Sequence, residues 1–351
     1  VNRRPPRNGE RVKEIKNILI IDGNGLFKVS FHGARDSYNS EGKHIGGIYS
    51  FLTTLRKILS EDIYHRVYVF WDGKFSGKLR YEMYPPYKSG RGKDYINGTE
   101  PIDLSELEQR KIIWDYINEM HIRQLMDDVV ESDDFIAYCC LSKKENEKIT
   151  IVSGDRDFLQ LISNDIRIYF LDIKQYVDLS NYSSYFCYHP CNGALIKILT
   201  GDTSDSIKGI KGLGETKLLS LFPELKDRQM TLSEIIDGAK LKQKERIDKK
   251  QPPLKVLDNI INGITDGVQK ERVYEINDKL VNLKRPLLNE NALRDINNLI
   301  DGDLASDTRD IKNVFSMMKR DGIDDAIGSI RYPDFLTPFK KLKDRENIFN
   351  N

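Results

Sequence analysis

The stretch "ITIVSGDRDFLQL", residues 149–161, decides the fold. It begins as a buried β-strand, with Ile149, Ile151 and Val152, and ends in Asp155 and Asp157. Two carboxylates two residues apart at the mouth of an apolar strand repel each other and contribute nothing to folding. Similar apolar runs recur with helical stretches between them: "KNILIIDG" from residue 16, "HRVYVFWDG" from 65 and "DIRIYFLD" from 165. This alternation predicts an α/β domain with a central, mostly parallel sheet flanked by helices. Asp22 and Asp72 end two further runs, and ligands of open α/β sheets bind outside the carboxyl ends of the strands. Asp22, Asp72, Asp155 and Asp157 are therefore expected to converge on one edge.

Two more acidic groups fit the same picture. "DDVVESDDFIAYCC" carries Glu131, Asp133 and Asp134 at the start of a predicted helix, where the amide dipole tolerates negative charge. "LTGDTSDSIKG" carries Asp202 and Asp205 at the end of another, where that dipole disfavours them and a compensating group is required. One isolated Asp at such a place is ordinarily a cap or a solvated turn. Nine acids at strand and helix ends would repel one another strongly unless cations occupied the cluster. Oxygen donors without His or Cys suit Mg²⁺ or Mn²⁺ rather than zinc. Two such ions about 3.5 to 4 Å apart are a recurrent device for phosphodiester hydrolysis, which makes nucleic acid the expected substrate.

Phosphate-binding groups appear in two places. "KFSGKLRYEMYPPYKSGRGKDY", residues 74–95, has six Lys or Arg against two acids, interleaved with Phe75, Tyr81, Tyr84, Tyr87 and Tyr95. Basic side chains that grip phosphates and rings that stack on unpaired bases are the chemistry of a single-strand channel; a solvated Gly/Pro-rich loop is the plainer alternative. A helix follows in "SELEQRKIIWDYINEM", opening with a Ser105/Glu108 capping box and repeating apolar residues at Ile112, Ile113, Tyr116, Ile117 and Met120. The second place is "GIKGLGETKLLSLFP", residues 209–223, a glycine hairpin leading into a short apolar helix. Glycines let backbone N–H groups approach phosphates closely.

Composition sets the limits. At 351 residues the chain exceeds the roughly 250 to 300 at which single cores stop growing, so two domains or subdomains are expected. No apolar run reaches the roughly 20 residues needed to cross a bilayer, and the basic, polar start has no apolar stretch of a secretory signal. A start without Met suggests that the numbering begins inside a longer protein. Four cysteines are too few for a disulfide framework, so a reduced, cytoplasmic protein is expected. "CYHPC" (Cys187, His189, Cys191) lacks a second ligand pair with zinc spacing and reads as ordinary packing. Net charge is only +1, but setting the nine site acids aside leaves 45 acids against 55 Lys and Arg, a remainder of +10. A basic DNA-binding surface is compatible with that balance.

Taken together, "IDGNGLF", "FWDGKFSGKLRYEMYPPYKSGR", "VESDD", "SGDRDFLQL" and "GDTSDSIKGIKGLGETK" resemble, in order and spacing, the flap endonuclease or 5′-nuclease family. This family includes the bacteriophage 5′-exonucleases, the phage RNase H type and the 5′-nuclease domain of bacterial DNA polymerase I. The resemblance covers residues 17 to about 222 and implies a PIN-like 5′-nuclease fold with a helical arch and a helix-hairpin-helix element. It implies a basic segment over 1–16, an α/β nuclease domain over 17–190 with the arch at about 74–120, and a helical C-terminal domain over 191–351 with the helix-hairpin-helix at about 195–222.

By the same resemblance, a first Mg²⁺ or Mn²⁺ would be held by Asp22, Asp72, Glu131, Asp133 and Asp155. A second would be held by Asp155, Asp157 and Asp205, with Asp134 and Asp202 acting directly or through water. Lys88 matches the lysine that contacts the scissile phosphate, supported by Arg91; Tyr87 would stack on the base near the cut and Arg80 would sit near the 5′ strand. Gly209, Lys211, Gly212, Gly214 and Lys217 would grip the duplex backbone, with K⁺ bound near residues 204–210.

The implied activity is a stand-alone 5′-3′ exonuclease and flap endonuclease that leaves 5′-phosphates and removes RNA primers or flaps in replication, with RNase H activity included. The implied partners are branched or flap DNA, RNA–DNA hybrid and a replisome's single-stranded-DNA-binding protein or sliding clamp. A monomer in the cytoplasm of a bacterial or phage-infected cell, with no membrane partner, is expected. A PIN-like single-strand ribonuclease and a non-catalytic fork-binding accessory protein remain as alternatives. The hairpin after Asp205 and the basic-aromatic insertion argue against the ribonuclease, and the full acidic set argues against the accessory protein. "KLKQKERIDKK", residues 240–250, reads equally as a second duplex contact or a solvated helix.

Overall fold

Five apolar or half-apolar segments line up in parallel and set the architecture of the computed structural model, which describes residues 14–91, 104–265, 272–302, 309–328 and 332–350. The strands are β1 (Lys16–Asp22), β2 (Arg66–Asp72), β3 (Arg123–Asp127), β4 (Glu147–Ser153) and β5 (Ile166–Phe170), with a short antiparallel β6 (Gln175–Val177) at one edge. Their spatial order is β3-β2-β1-β4-β5-β6. The chain winds outward from β1 to β3, then returns to place β4 on the other flank of β1. The crevice between the carboxyl ends of β1 and β4 is thus the switch point where such sheets bind ligands.

Both faces of the sheet are covered, which is why its inner strands read as unbroken apolar runs. Leu19 and Ile21 of β1, with Val67, Val69 and Trp71 of β2, face one core; Ile18 and Ile20, with Tyr68 and Phe70, face the other. The period of two is that of a pleated strand.

The first core is closed by α1 (Gly23–Gly33), α2 (Gly46–Glu61) and, beyond the short α3 (Lys78–Met83), by α4 (Leu104–Glu119). α2 buries Ile48, Phe51, Leu52, Leu55, Ile58 and Leu59, a stripe at helical spacing. The expected capping box does not open α4. The helix is already formed at Leu104, Ser105 accepts from Gln109, and Glu108 pairs with Lys43.

α5 (Ser132–Leu141) covers the second face. A third core gathers α6 (Gly193–Thr200), the two-residue strands β7 (Gly201–Asp202) and β8 (Ile207–Lys208), and α7 (Glu215–Leu221), with α8 (Leu232–Asp248), α9 (Lys255–Asn262) and α10 (Val273–Val281). α6, the β7–β8 hairpin and α7 supply the expected helix-hairpin-helix. Gly209 has no room for a side chain, because a Cβ there would lie 2.0 Å from the Thr200 carbonyl carbon, and Gly212 has φ +74°. Lys211 and Lys217 are exposed.

The remaining helices return to the α/β part. α11 (Glu290–Asp301) packs on the second face, while α12 (Ile311–Arg320), α13 (Ile323–Ile327), α14 (Tyr332–Phe335) and α15 (Thr337–Asn350) extend the first core. Glu346 of α15 enters the base of the sheet and binds Arg66 at 2.8 Å and Arg123 at 2.7 Å, all three side chains being buried. Among the described residues no helix is long and apolar enough to cross a membrane.

Candidate metal centre

Asp22 stands where β1 meets α1 and caps that helix, its Oδ1 accepting from the Gly25 N–H at 2.8 Å. Its Oδ2 accepts from Ser153 Oγ at 2.8 Å across the switch point. A Cβ on residue 25 would fall 2.2 Å from that Oδ2, so glycine is required there. On the next strand, Asp72 accepts from the Ser132 N–H and from Asn24 Nδ2, each at 2.8 Å. Asp155 follows β4, and its Oδ1 accepts from the Asp157 N–H at 2.8 Å.

Asp133, in the first turn of α5, completes this group. Burial, then Asp155, Asp22, Asp72 and Glu131 around it, push its carboxyl well above the usual range. Burial pushes Asp22 up to about 6, against the pull of the Gly25 N–H and the Ser153 hydroxyl, with Asp72 and Asp155 adding to the rise. Among the described residues no Lys or Arg forms an ion pair with Asp22, Asp72, Asp133 or Asp155.

The other five acids are compensated from within the chain. Glu131, buried at the N-terminus of α5, is reached by Arg80 at 2.6 Å, by Lys88 and by Tyr87 Oη. Burial opposes its charge, but Lys88 and Arg80 hold it down to about 2. Asp134 is fully buried, takes both prongs of Arg80 at 2.6 and 2.9 Å and accepts from the Leu287 N–H. Lys197 of α6 lies between Asp157 and Asp202, 2.6 Å from the latter. With burial opposing, Lys197 and Ser204 hold Asp202 down to about 2. Arg91 meets Asp205 at 2.5 Å, and the backbone N–H of Lys88 donates to the Asp205 carbonyl at 2.8 Å. The compensation required for Asp202 and Asp205 at the end of α6 is therefore supplied by Lys197 and Arg91.

Three sequence expectations are corrected here. Arg80 does not face a strand of nucleic acid: it is 5% exposed, and its Nε also donates to the Leu280 carbonyl. Tyr87 presents no stacking face, because its ring is packed in the third core and only 2% exposed. Asp134 is committed to Arg80 rather than turned toward the shared edge. The physical reason is common to all three: a carboxylate without solvent needs a partner, and the basic-aromatic segment folds back to provide it. Residues 92–103, including Tyr95, lie outside the described residues.

His189, Cys187 and Cys191 form no cluster, since His189 accepts from the Cys191 N–H and Cys187 faces Glu215. Sequence reading missed Asn24, Ser153 and Lys197, which hold the acids from neighbouring elements. The motifs "DGNG" and "VSGD" contain the first two, but nothing local marks them as donors.

A cleft of about 920 Å³ opens beside these groups, lined by Asp22, Lys28, Asp155, Asp157, Lys197 and Asp202. As they stand, no three acid, His or Cys side chains among the described residues are drawn together closely enough to coordinate one ion. The donor set fits a hard divalent cation: oxygen ligands only, four of them unpaired with any basic side chain among the described residues, two with carboxyls pushed upward by burial and by the carboxylates around them.

Residues 17–185 match the model of the 5′-3′ exonuclease N-terminal, resolvase-like domain. The chain is 30% identical over 240 residues to DNA polymerase I of Geobacillus stearothermophilus and 28% over 208 residues to the thermostable DNA polymerase I of Thermus thermophilus. It spans about a quarter of the length of these relatives: 26% of the first and 24% of the second, over 65% and 59% of this chain. A 5′-3′ exonuclease of Mycoplasmopsis pulmonis is 27% identical over 64% of this chain and 70% of its own. The fold matches the T5 5′-exonuclease solved with zinc, with a TM-score of 0.59 at 19% identity over 87% of this chain and 99% of that one. A T5 D15 flap endonuclease variant solved with DNA and metal ions also has a TM-score of 0.59 at 19% identity, over 87% of this chain and 100% of that one.

Proposed function

We propose, from the match of residues 17–185 to the 5′-3′ exonuclease N-terminal domain model, that the chain is a structure-specific, divalent-metal-dependent 5′-nuclease. It hydrolyses phosphodiesters near junctions of single and double strand, leaves 5′-phosphates, and acts on flap DNA and on RNA primers paired to DNA during replication. The observation that supports this most directly is the placing of Asp22, Asp72, Asp133 and Asp155 about the switch point of the sheet with no cationic partner among the described residues.

In this reading Asp22, Asp72, Glu131, Asp133 and Asp155 hold one Mg²⁺ or Mn²⁺, and Asp155, Asp157, Asp202 and Asp205 hold another. When bound, the ions would supply a water of lowered pKa and charge for the leaving oxygen. The chain's own groups do the rest. Ser153 and the Gly25 N–H fix both oxygens of Asp22; Ser132 and Asn24 fix those of Asp72.

Lys88, held over the acids through its backbone bond to Asp205, carries the ammonium that turns from Glu131 to the scissile phosphate. Arg91, half-exposed on Asp205, follows it. The hairpin at 209–214, with exposed Lys211 and Lys217, takes the duplex backbone and is the place for K⁺. A single-stranded-DNA-binding protein or sliding clamp is the class of replication partner that fits such a substrate.

The test is single-turnover cleavage of an end-labelled 5′-flap duplex in Mg²⁺ or EDTA by wild type and Asp155→Asn. Mg²⁺-dependent cuts near the junction, lost in the variant, are expected. Tight flap binding without cutting in any divalent metal would overturn the reading.

A further inference from the structure

The acids fall into two unequally treated halves. Asp22, Asp72, Asp133 and Asp155 have no basic partner among the described residues, whereas Asp157 and Asp202 share one ammonium. That ammonium belongs to Lys197 on α6, whose side chain is 25% exposed, against 17% for Asp157 and 11% for Asp202. The local chain is built to bring the three together. α6 ends at Gly201, whose φ of +76° reverses the backbone and whose missing side chain lets Gly209 approach; a Cβ there would lie 2.3 Å from the Gly209 nitrogen. Asp202, the next residue, is thereby turned back toward Lys197 on the helix just completed. From the other side, the short turn after β4 delivers Asp157. A cation held by two carboxylates at the rim of the cleft occupies the ground that a divalent ion would need.

We propose that Lys197 is a specificity-determining residue that makes the second half of the centre a weaker divalent site than the first, by standing in for the ion between Asp157 and Asp202. The proposal rests on the metal-dependent nuclease reading above. A divalent ion enters among Asp22, Asp72, Asp133 and Asp155 by relieving repulsion that no basic side chain among the described residues compensates, while Glu131 keeps Arg80 and Lys88. It enters the second half only by exchange: the ammonium leaves both carboxylates as the ion arrives, and charge is conserved except for the single extra positive unit. A unit positive charge a few ångströms away opposes a cation even where solvent screens it, so the lysine costs the second ion about tenfold or more in affinity. The two ions then load in order, with the second sensitive to anything that draws Lys197 away, including the phosphates of bound nucleic acid.

The experiment is Mn²⁺ binding to the substrate-free full chain, followed through the paramagnetic resonance signal of the free ion, which counts ions without turnover. Wild type is expected to take one ion tightly and a second more weakly. Lys197→Met, which keeps the aliphatic stem, should tighten the second ion about tenfold or more and leave the first unchanged. Lys197→Arg, which keeps the charge, should retain the wild-type isotherm. Circular dichroism establishes that each variant is folded, and Lys197→Gln replaces the Met variant if that one is not.

A second ion bound equally or more weakly in the uncharged variant would overturn the proposal, since Lys197 would then be organising the carboxylates rather than competing for them. Two equally tight ions in wild type would overturn it as well. Failure of the nuclease reading looks different: wild type would show no tight Mn²⁺ that Asp155→Asn removes.

Discussion

Ser153 donates its hydroxyl to Asp22 Oδ2 at 2.8 Å, joining the ends of two adjacent parallel strands across the point where the sheet changes winding direction. The same Ser153 Oγ accepts from the Asp155 N–H at 3.0 Å, so one hydroxyl sets the position of two acids. Ser153→Ala removes both bonds and leaves a buried carboxylate oxygen without its donor. Outer-shell losses of this kind cost about 10 to 100-fold in metal affinity or activity. A Mg²⁺ titration of flap cleavage should show the midpoint displaced to higher Mg²⁺; an unmoved midpoint would mean that Gly25 alone fixes Asp22.

Lys88 should matter for the chemical step rather than for binding. Its ammonium is already among Glu131, Asp205 and Asp72, so truncation takes away positive charge where negative charge develops. Lys88→Ala is expected to slow single-turnover hydrolysis by about 10² to 10³-fold with modest change in flap affinity. Equal rates for the two proteins would remove Lys88 from the mechanism.

Arg80 carries a different expectation, because it is buried between Glu131, Asp134 and the Leu280 carbonyl. Arg80→Met leaves Asp134 without its ion-pair partner and Glu131 with only Lys88 and Tyr87, and breaking a buried ion pair costs about 3 to 5 kcal/mol. Urea denaturation should show that loss in stability. If Arg80 instead faced nucleic acid, the variant would keep its midpoint and lose affinity for the flap.

Divalent ions should stabilise the protein in the absence of substrate, since they bind the gathered acids of the folded chain only. At an ion concentration 100 times Kd the gain is about 2.7 kcal/mol. A thermal melt should rise with added Mg²⁺ and return with EDTA. Asp22→Asn with Asp155→Asn should abolish the rise while leaving the EDTA melt intact; a rise that survives both substitutions would place the ion elsewhere.

His121 gives a pH dependence away from the centre. Burial, then Lys343 and Arg309, lower its pKa below 6.5, and its Nε2 has no hydrogen-bond partner among the described residues. The unfolded chain therefore takes up the proton first as pH falls. This contribution is neutral above about pH 6.5, grows more destabilising as pH falls toward the lowered folded value, and stays at its full size below it. His121→Phe should show a shallower loss of denaturation midpoint between pH 7 and pH 5 than wild type; parallel profiles would show that the ring is not the group responsible.

How far the fold can be read in the sequence follows from burial. β1, β2, β4 and β5 are legible because inner parallel strands are apolar on both faces. β3, Arg123–Asp127, is not, because it is an edge strand with Met126 45% exposed and polar Gln124 turned to Trp71. Asp22, Asp72 and Asp155 stand out in the sequence because each closes an apolar run, and Glu131 and Asp133 because they open a helix. The partners of the acids do not: Lys197 meets Asp157 from a separate element, and no local pattern encodes that meeting. Arg80 and Tyr87 are misread for a related reason. A basic-aromatic segment announces charge and rings, but which of them turns inward depends on a buried carboxylate 44 to 54 residues later.

The pairing of Arg66 with Glu346 spans 280 residues. Arg66 and Arg123 sit at the amino ends of their strands with guanidinium groups closed off from water, and the anion that neutralises them is on the last described helix. While a ribosome is still making the region between them, the foot of the sheet holds two cations with no counter-charge, an arrangement too costly to bury. The foot of the sheet is thus completed by the far end of the chain, and loss of α15 would leave two buried guanidinium groups without their anion.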